Sequence, residues 1–242
     1  MAGQGFSPQV RRQLLAAAEE ALGWEEVLAR TGDSVVTAVL GDVSTFYQWQ
    51  HYPEGDVQDP DTGAQYYYHA HPPGTRPADE HGHFHLFVRP AQAGMDVRPV
   101  PLPDLEPPDE PEDLLCHLVG ISVDAEGRLR ELFTTNRWVT AEHWFRAEDV
   151  LQLLPAFSVG HAFPSWPLNR WLESVVSAFA PEIAGLVRAR DQRITAWEDA
   201  HVGNVFEDRA LEYPATLAVD LNERVRTLRA GLDDSHVAAE QD

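Results

Sequence analysis

The chain contains no lysine; all 18 of its basic residues are arginine. That absence excludes a Schiff-base nucleophile and a P-loop lysine. The single cysteine, Cys116, excludes an internal disulfide and fits a reducing cytoplasm. No apolar run approaches the roughly 20 residues of a membrane helix. The opening Met1-Ala-Gly-Gln-Gly-Phe-Ser7 lacks a basic segment followed by an apolar one, so no secretory signal is expected either. Positive charge is scarce: against 39 acidic residues the formal charge is −21, a field that repels nucleic-acid phosphates. The expectation is a cytoplasmic protein that acts on a small molecule, with no nucleic-acid or membrane partner. Arg-only, Ala-rich usage points to a GC-rich bacterial genome.

Hydrophobic residues make up 43% of the 242 positions and seven tryptophans are present, so a packed core is expected. Residues 8–31 carry apolar side chains at helical spacing behind Ser7, a plausible cap. From 46 to 136 the period changes to two, with strands expected at Phe46–His51, Gln65–His71, Gly82–Arg89, Leu115–Val123 and Arg128–Asn136. Residues 97–113, rich in Pro and acid, read as an extended surface excursion. Helical spacing returns over 145–232, at Ala147–Phe157, Pro167–Phe179, Pro181–Ala200 and Leu221–Leu232, before a frayed end from Asp233 to Asp242. The expected architecture is one α+β domain over 1–242: an antiparallel sheet of about five strands, with the N-terminal helix and the C-terminal helices packed on it.

Five of the eleven histidines fall between residues 69 and 85, in Tyr66-Tyr-Tyr-His-Ala-His71 and Glu80-His-Gly-His-Phe-His85. Residues two apart on a strand share a face, so Tyr67, His69 and His71 point one way and Tyr66, Tyr68 and Ala70 the other. His81, His83, His85 and Phe87 likewise oppose Phe84, Leu86 and Val88. An antiparallel pairing of His71 with His83 and His69 with His85 puts four imidazoles on one surface. Cross-strand Cβ atoms roughly 5 Å apart let ring nitrogens converge on one ion. Four buried imidazoles without partners would be costly, and coordination removes that cost. The expected site is therefore a mononuclear transition-metal centre of His69, His71, His83 and His85, covered by the C-terminal helices. Fe, Zn, Cu, Ni and Mn are all open. Glu80 is a further ligand or the base on a bound water, and His81, nearest the loop, is the odd member.

Other positions are read as supporting. Tyr67, Asn136 and Arg137 would line a substrate pocket, Arg137 serving a carboxylate or phosphate or else a structural ion pair. His51 is a reserve candidate behind the ligands, and His117, among Val119 and Ile121, a satisfied core histidine. His143 and His161 are surface or core residues. An enzyme of oxygenase or hydrolase type and a non-catalytic metal-binding or sensing protein are both compatible with this set.

Three resemblances add to this reading. The blocks at His51–Val57, Gln65–His71, Glu80–His85, Leu132–Thr140, Pro164–Trp171 and Val205–Arg209 together resemble an uncharacterised bacterial family known only as a domain of unknown function, which implies a stand-alone domain and no particular activity. His69-Ala-His71 resembles the His-x-His of cupin metal sites. His81-Gly-His-Phe-His85 is similar to the signature of histidine-triad nucleotide hydrolases and transferases. That last resemblance implies His83 as nucleophile on an α-phosphate, with His81 and His85 orienting it.

Overall fold

The Ser7 hydroxyl accepts a hydrogen bond from the Val10 amide at 3.3 Å, and Pro8 follows in the first turn, where a missing N–H leaves nothing unpaired. These residues start α1 (Pro8–Ala29), in the place the spacing predicts. The computed structural model describes residues 5–239 apart from 73, 103, 104 and 107. After α1 come a short α2 (Val35–Leu40) and the strands β1 (Tyr52–Gln58), β2 (Ala64–His69), β3 (Gly82–Val88), β4 (Cys116–Val123) and β5 (Leu129–Thr134). The helices α3 (Arg137–Thr140), α4 (Ala147–Leu153), α5 (Trp166–Ala178) and α6 (Ala180–Ala200) follow. A short strand β6 (Ala215–Ala218) and α7 (Leu221–Ala239) complete the order. The fold is α+β. Its strands form one antiparallel sheet in the order β1-β2-β3-β4-β5-β6.

Three sequence expectations need correction. The sheet has six strands, because the exposed segment Ala215–Ala218 pairs with β5. The expected strand Phe46–His51 is a turn-rich loop, and the first strand starts at Tyr52. Trp49 has φ +69°, which no strand residue adopts, and its side chain and that of Tyr47 both face solvent. The β2–β3 register also lies two residues from the expected one: His69 opposes His83 and Tyr67 opposes His85. Parity fixes the face but leaves pairings two apart equally allowed. Gly82 suits the observed one, since a Cβ there would lie 2.4 Å from the Tyr68 hydroxyl oxygen and 2.5 Å from the His69 carbonyl oxygen. His71 consequently falls beyond the end of β2.

Tyr66, Tyr68, Phe84, Leu86, Val119, Ile121 and Leu132 are wholly buried on one side of the sheet. Helix α5 packs there, with Phe84 against Trp171 at 6.1 Å between ring centroids. Helix α1 packs on α5 and α7, and α4 on α6 and β4. Tyr66 donates its hydroxyl to Asn169 Oδ1 at 2.5 Å, and the Asn169 amide donates to the carbonyls of His161 and Phe163 at 2.9 and 3.0 Å. Asn169→Ala is expected to cost about 2 kcal/mol in urea unfolding, because it strands a buried hydroxyl. Adding Tyr66→Phe should return part of that loss. An unchanged double variant would show the hydroxyl to be indifferent.

The Pro-rich stretch does run as irregular chain, with a Leu102–Leu105 bridge and a short turn at Pro111–Asp113, although Val97 is buried. Its residues 103, 104 and 107 lie outside the described residues. The tail helix continues past the expected Leu232 to Ala239, and 240–242 of the expected frayed end are likewise outside them. Among the described residues, no helix is long and apolar enough to cross a membrane.

Candidate metal centre

The opposite face of the sheet is built from Gln65, Tyr67 and His69 of β2, His83, His85 and Phe87 of β3, and Gly120 and Ser122 of β4, with Glu131 and Phe133 of β5 beside them. Gly120 sits across from His85 on one side and Phe133 on the other. A Cβ at 120 would stand 2.3–2.6 Å from the Phe133 ring. The missing side chain is what lets that ring lie edge-on against His83 and His85, at 5.1 and 5.6 Å between centroids. Gly120→Ala is expected to destabilise the fold by about 1–3 kcal/mol through overpacking. Urea unfolding checks this, and a neutral result would mean that the ring moves aside freely.

His69, His83 and His85 each turn one ring nitrogen inward, and these three atoms lie within 4.8 Å of one another. His83 and His85 are 0% exposed and His69 7%, so His69 is the member of the cluster nearest to solvent. The Nε2 atoms of His69 and His83 are 2.7 Å apart. His83 Nδ1 lies 2.7 Å from Glu80 Oε1, and since a carboxylate only accepts, that nitrogen carries the proton. In the neutral ring the Nε2 of His83 is then a bare lone pair, the form that binds metals. His85 Nδ1 lies 3.0 Å from His117 Nε2, and His117 Nδ1 lies 3.2 Å from Thr135 Oγ1. The remaining nitrogen of His85, Nε2, is buried and has no hydrogen-bond partner among the described residues. An orphaned ring nitrogen on a histidine clustered with two other buried imidazoles fits a transition-metal ion held by nitrogen ligands.

Glu80 is held as firmly as the three histidines. Its carboxylate accepts from Ser122 Oγ at 2.7 Å and from Arg76 Nη2 at 2.7 Å. Arg76 also donates to Glu131 at 3.2 Å and lies between the Phe133 and Tyr213 rings. Burial by itself would raise the Glu80 pKa, but the hydrogen bonds and charges of His83 and Arg76 together outweigh it and bring the group down to about 2. Burial, then the charges of His83, His71 and His51, holds His69 at about 2, so this imidazole is neutral at any working pH.

His71 stands beside the triad, 5.0 Å from both His69 and His83 between ring centroids, and lies against Trp49 at 4.0 Å with the two rings tilted by 40°. His51 stacks on Tyr67 at 3.6 Å and bonds to Asp56. His81 turns to the other side of the sheet, with Nδ1 2.6 Å from the Tyr68 hydroxyl, so the three-histidine set of the triad resemblance is not assembled. Asn136 and Arg137 tie to a distant turn: Asn136 Nδ2 donates to the Val205 carbonyl at 2.8 Å, and Arg137 pairs with Glu207. His143 and His161 make local contacts with Leu115 and Gln58. The rings against the triad come from Phe133, Phe87, Tyr67 and Trp49, on strands and a loop rather than on the C-terminal helices.

Sequence reasoning gives His117 no part in the site. Counted from Val119 and Ile121 it belongs to the apolar face. Leu118 is an extra residue, however: Leu86 pairs with Val119 and Phe87 with His117, so the register shifts by one. This bulge turns His117 onto the histidine face. It is buried and bonded at both ring nitrogens, as a satisfied core histidine should be, but one of its partners is His85.

Residues 15–219 match a family described as a domain of unknown function, DUF6969, in keeping with the resemblance read from the sequence blocks. No curated protein matches the chain. No solved structure matches it either.

Proposed function

The chain belongs to the DUF6969 family, a domain of unknown function, so its chemistry has to be argued from its own residues, and we propose a mononuclear transition-metal site with His69, His83 and His85 as ligands. The observation that carries this reading is the buried Nε2 of His85, without a hydrogen-bond partner among the described residues, on a ring clustered with those of His69 and His83. Glu80 and His117 serve as positioning residues: they engage the Nδ1 atoms of His83 and His85 and leave the Nε2 atoms free to coordinate. His71 is the candidate fourth ligand, one ring away on the solvent side. Three imidazoles suit Zn, Cu, Fe or Ni, and Glu80, engaged by Arg76 and Ser122, gives no reason to favour Mn.

A bound ion would supply Lewis acidity, lowering the pKa of a coordinated water or polarising a substrate oxygen. Around it the chain's own groups exclude water through Phe133, Phe87 and Tyr67 and leave approach beside His69. Three protein nitrogens with one approachable side match catalytic rather than structural metal sites. We therefore favour a metal-dependent enzyme of hydrolase or oxygenase type over a storage or sensing role.

Metal analysis of protein purified without a His-tag tests the reading. About one equivalent of Zn, Cu, Fe or Ni is expected, lost in the His69→Ala/His83→Ala double variant. No uptake, even after reconstitution with Fe, Zn and Cu, would sink it. His117→Ala should weaken metal binding by about 10- to 100-fold without abolishing it. Competition with a chromophoric chelator reads that change, and unaltered affinity would remove His117 from the site.

A further inference from the structure

The approach to His69 is lined by rings. Trp49 lies against His71 at 4.0 Å with the two rings tilted by 40°, His51 stacks on Tyr67 at 3.6 Å, and three of these rings also meet the His69 ring edge-on: Trp49 at 6.3 Å, His51 at 5.7 Å and Tyr67 at 5.5 Å. Trp49 is 57% exposed although it is among the largest apolar side chains in the chain. Its backbone sits at φ +69°, an outlier for a bulky residue, and is held by a hydrogen bond from its amide to the Ala70 carbonyl at 3.0 Å. Asp56, which bonds His51 and Gln65, is also left-handed, at φ +58°. Among the described residues, two of the three left-handed ones other than glycine thus lie at this mouth, and strain of that kind clusters where a fold presents groups to a ligand.

Charge narrows the class of ligand. The chain has no lysine. The guanidinium that acts on His71, Arg76, already has donors on Glu80 and Glu131, while Asp56 adds a negative charge to the rim. A phosphate or a second carboxylate at the mouth would meet π faces and an acid. A flat, uncharged ring would meet the exposed indole.

We propose that the mouth of the metal site is a binding platform for an aromatic or heteroaromatic substrate, with Trp49 stacking on its ring while its polar end reaches the metal. This rests on the metal reading above. The test compares benzohydroxamate with acetohydroxamate, which share a metal-binding group and differ in the ring. Binding of each to the zinc-loaded protein is followed by calorimetry, with metal content measured before and after. In the wild type, benzohydroxamate should bind about 5- to 10-fold more tightly. The ratio should fall to about one in Trp49→Ala and be kept in Trp49→Phe. Equal affinities in the zinc-loaded wild type, or a ratio unmoved by Trp49→Ala, would overturn the platform and leave the metal site standing. Failure to take up zinc or any other metal would overturn both.

Discussion

A fall from pH 7 to pH 4.5 is expected to remove about 3 kcal/mol of stability from the metal-free protein. Burial is the first cause in every contributing histidine. It holds His69 at about 2 and His117 at about 3, helped by neighbouring imidazoles and, for His117, by Arg190. It lowers His83 and His85 as well. His69, His85 and His117 stay neutral in the fold over this range, whereas in the unfolded chain each takes a proton near pH 6.5. The unfolded state therefore binds more protons as pH falls through 6.5, and stability drops.

Two carboxyls oppose the trend. Burial raises Glu25 and Glu142 to about 7, so between about 4.5 and 7 each holds a proton in the fold that the unfolded chain has released. Three rings against two carboxyls leave a net of about one proton, or ~1.4 kcal/mol per pH unit, and the lowered His83 adds to it in the same direction. Half-buried His71, lowered to about 4, adds less because solvent screens it. Below about 4.5 the opposition ends, since the unfolded chain now protonates its carboxyls too. Glu80 then joins the loss as pH falls towards 2. Urea unfolding of chelator-treated protein at pH 7, 5.5 and 4.5 measures the slope. Equal stabilities at pH 7 and 4.5 would mean that the imidazoles are not buried neutral. Bound metal should steepen the dependence, because its ligands must be deprotonated.

Glu80→Ala is the substitution with the largest expected cost, about 3–5 kcal/mol. The carboxylate is 2% exposed and the Arg76 side chain 8%, so the change leaves a nearly buried guanidinium with only its longer contact to Glu131. Ser122 and His83 Nδ1 lose their acceptor at the same time. Glu80→Gln, which keeps an acceptor oxygen and loses the charge, should cost less, about 1–3 kcal/mol. Glu80→Ala should also bind metal less tightly, because no acceptor at position 80 then fixes the His83 proton on Nδ1, and Glu80→Gln should lose less affinity because its oxygen can still accept from that N–H. Thermal and urea unfolding, with a chelator competition for each variant, read the two effects separately. Glu80→Ala within 1 kcal/mol of the wild type would refute the buried network.

How much of this was legible in the residues follows from what alternation can and cannot say. Two His-x-His pairs on neighbouring strands name a face, and His69, His83 and His85 do share one. Alternation does not name the partner across the gap, and a pairing displaced by two residues left His71 outside the strand. β1 was hidden because Tyr52-Pro-Glu-Gly-Asp56 reads as a turn, and as an edge strand with an irregular register it tolerates just those residues. β6 is four residues long and mostly exposed, too short to show a period. The mouth was unreadable for another reason: Trp49 and His51 reach it through a loop whose path depends on a left-handed backbone rather than on any pattern.

Leu118 has a consequence of its own. A bulge adds one residue to a strand without disturbing the pairs on either side of it. Deleting Leu118 would therefore join His117 to Val119 in a regular ladder and keep His117 opposite Phe87, on the side of His69, His83 and His85. Straightening β4 at its present length would instead turn residue 117 to the side of Val119 and Ile121 and cut the line from His85 to Thr135. When members of this family are compared, the length between Cys116 and Gly120 thus has to be read together with the histidine.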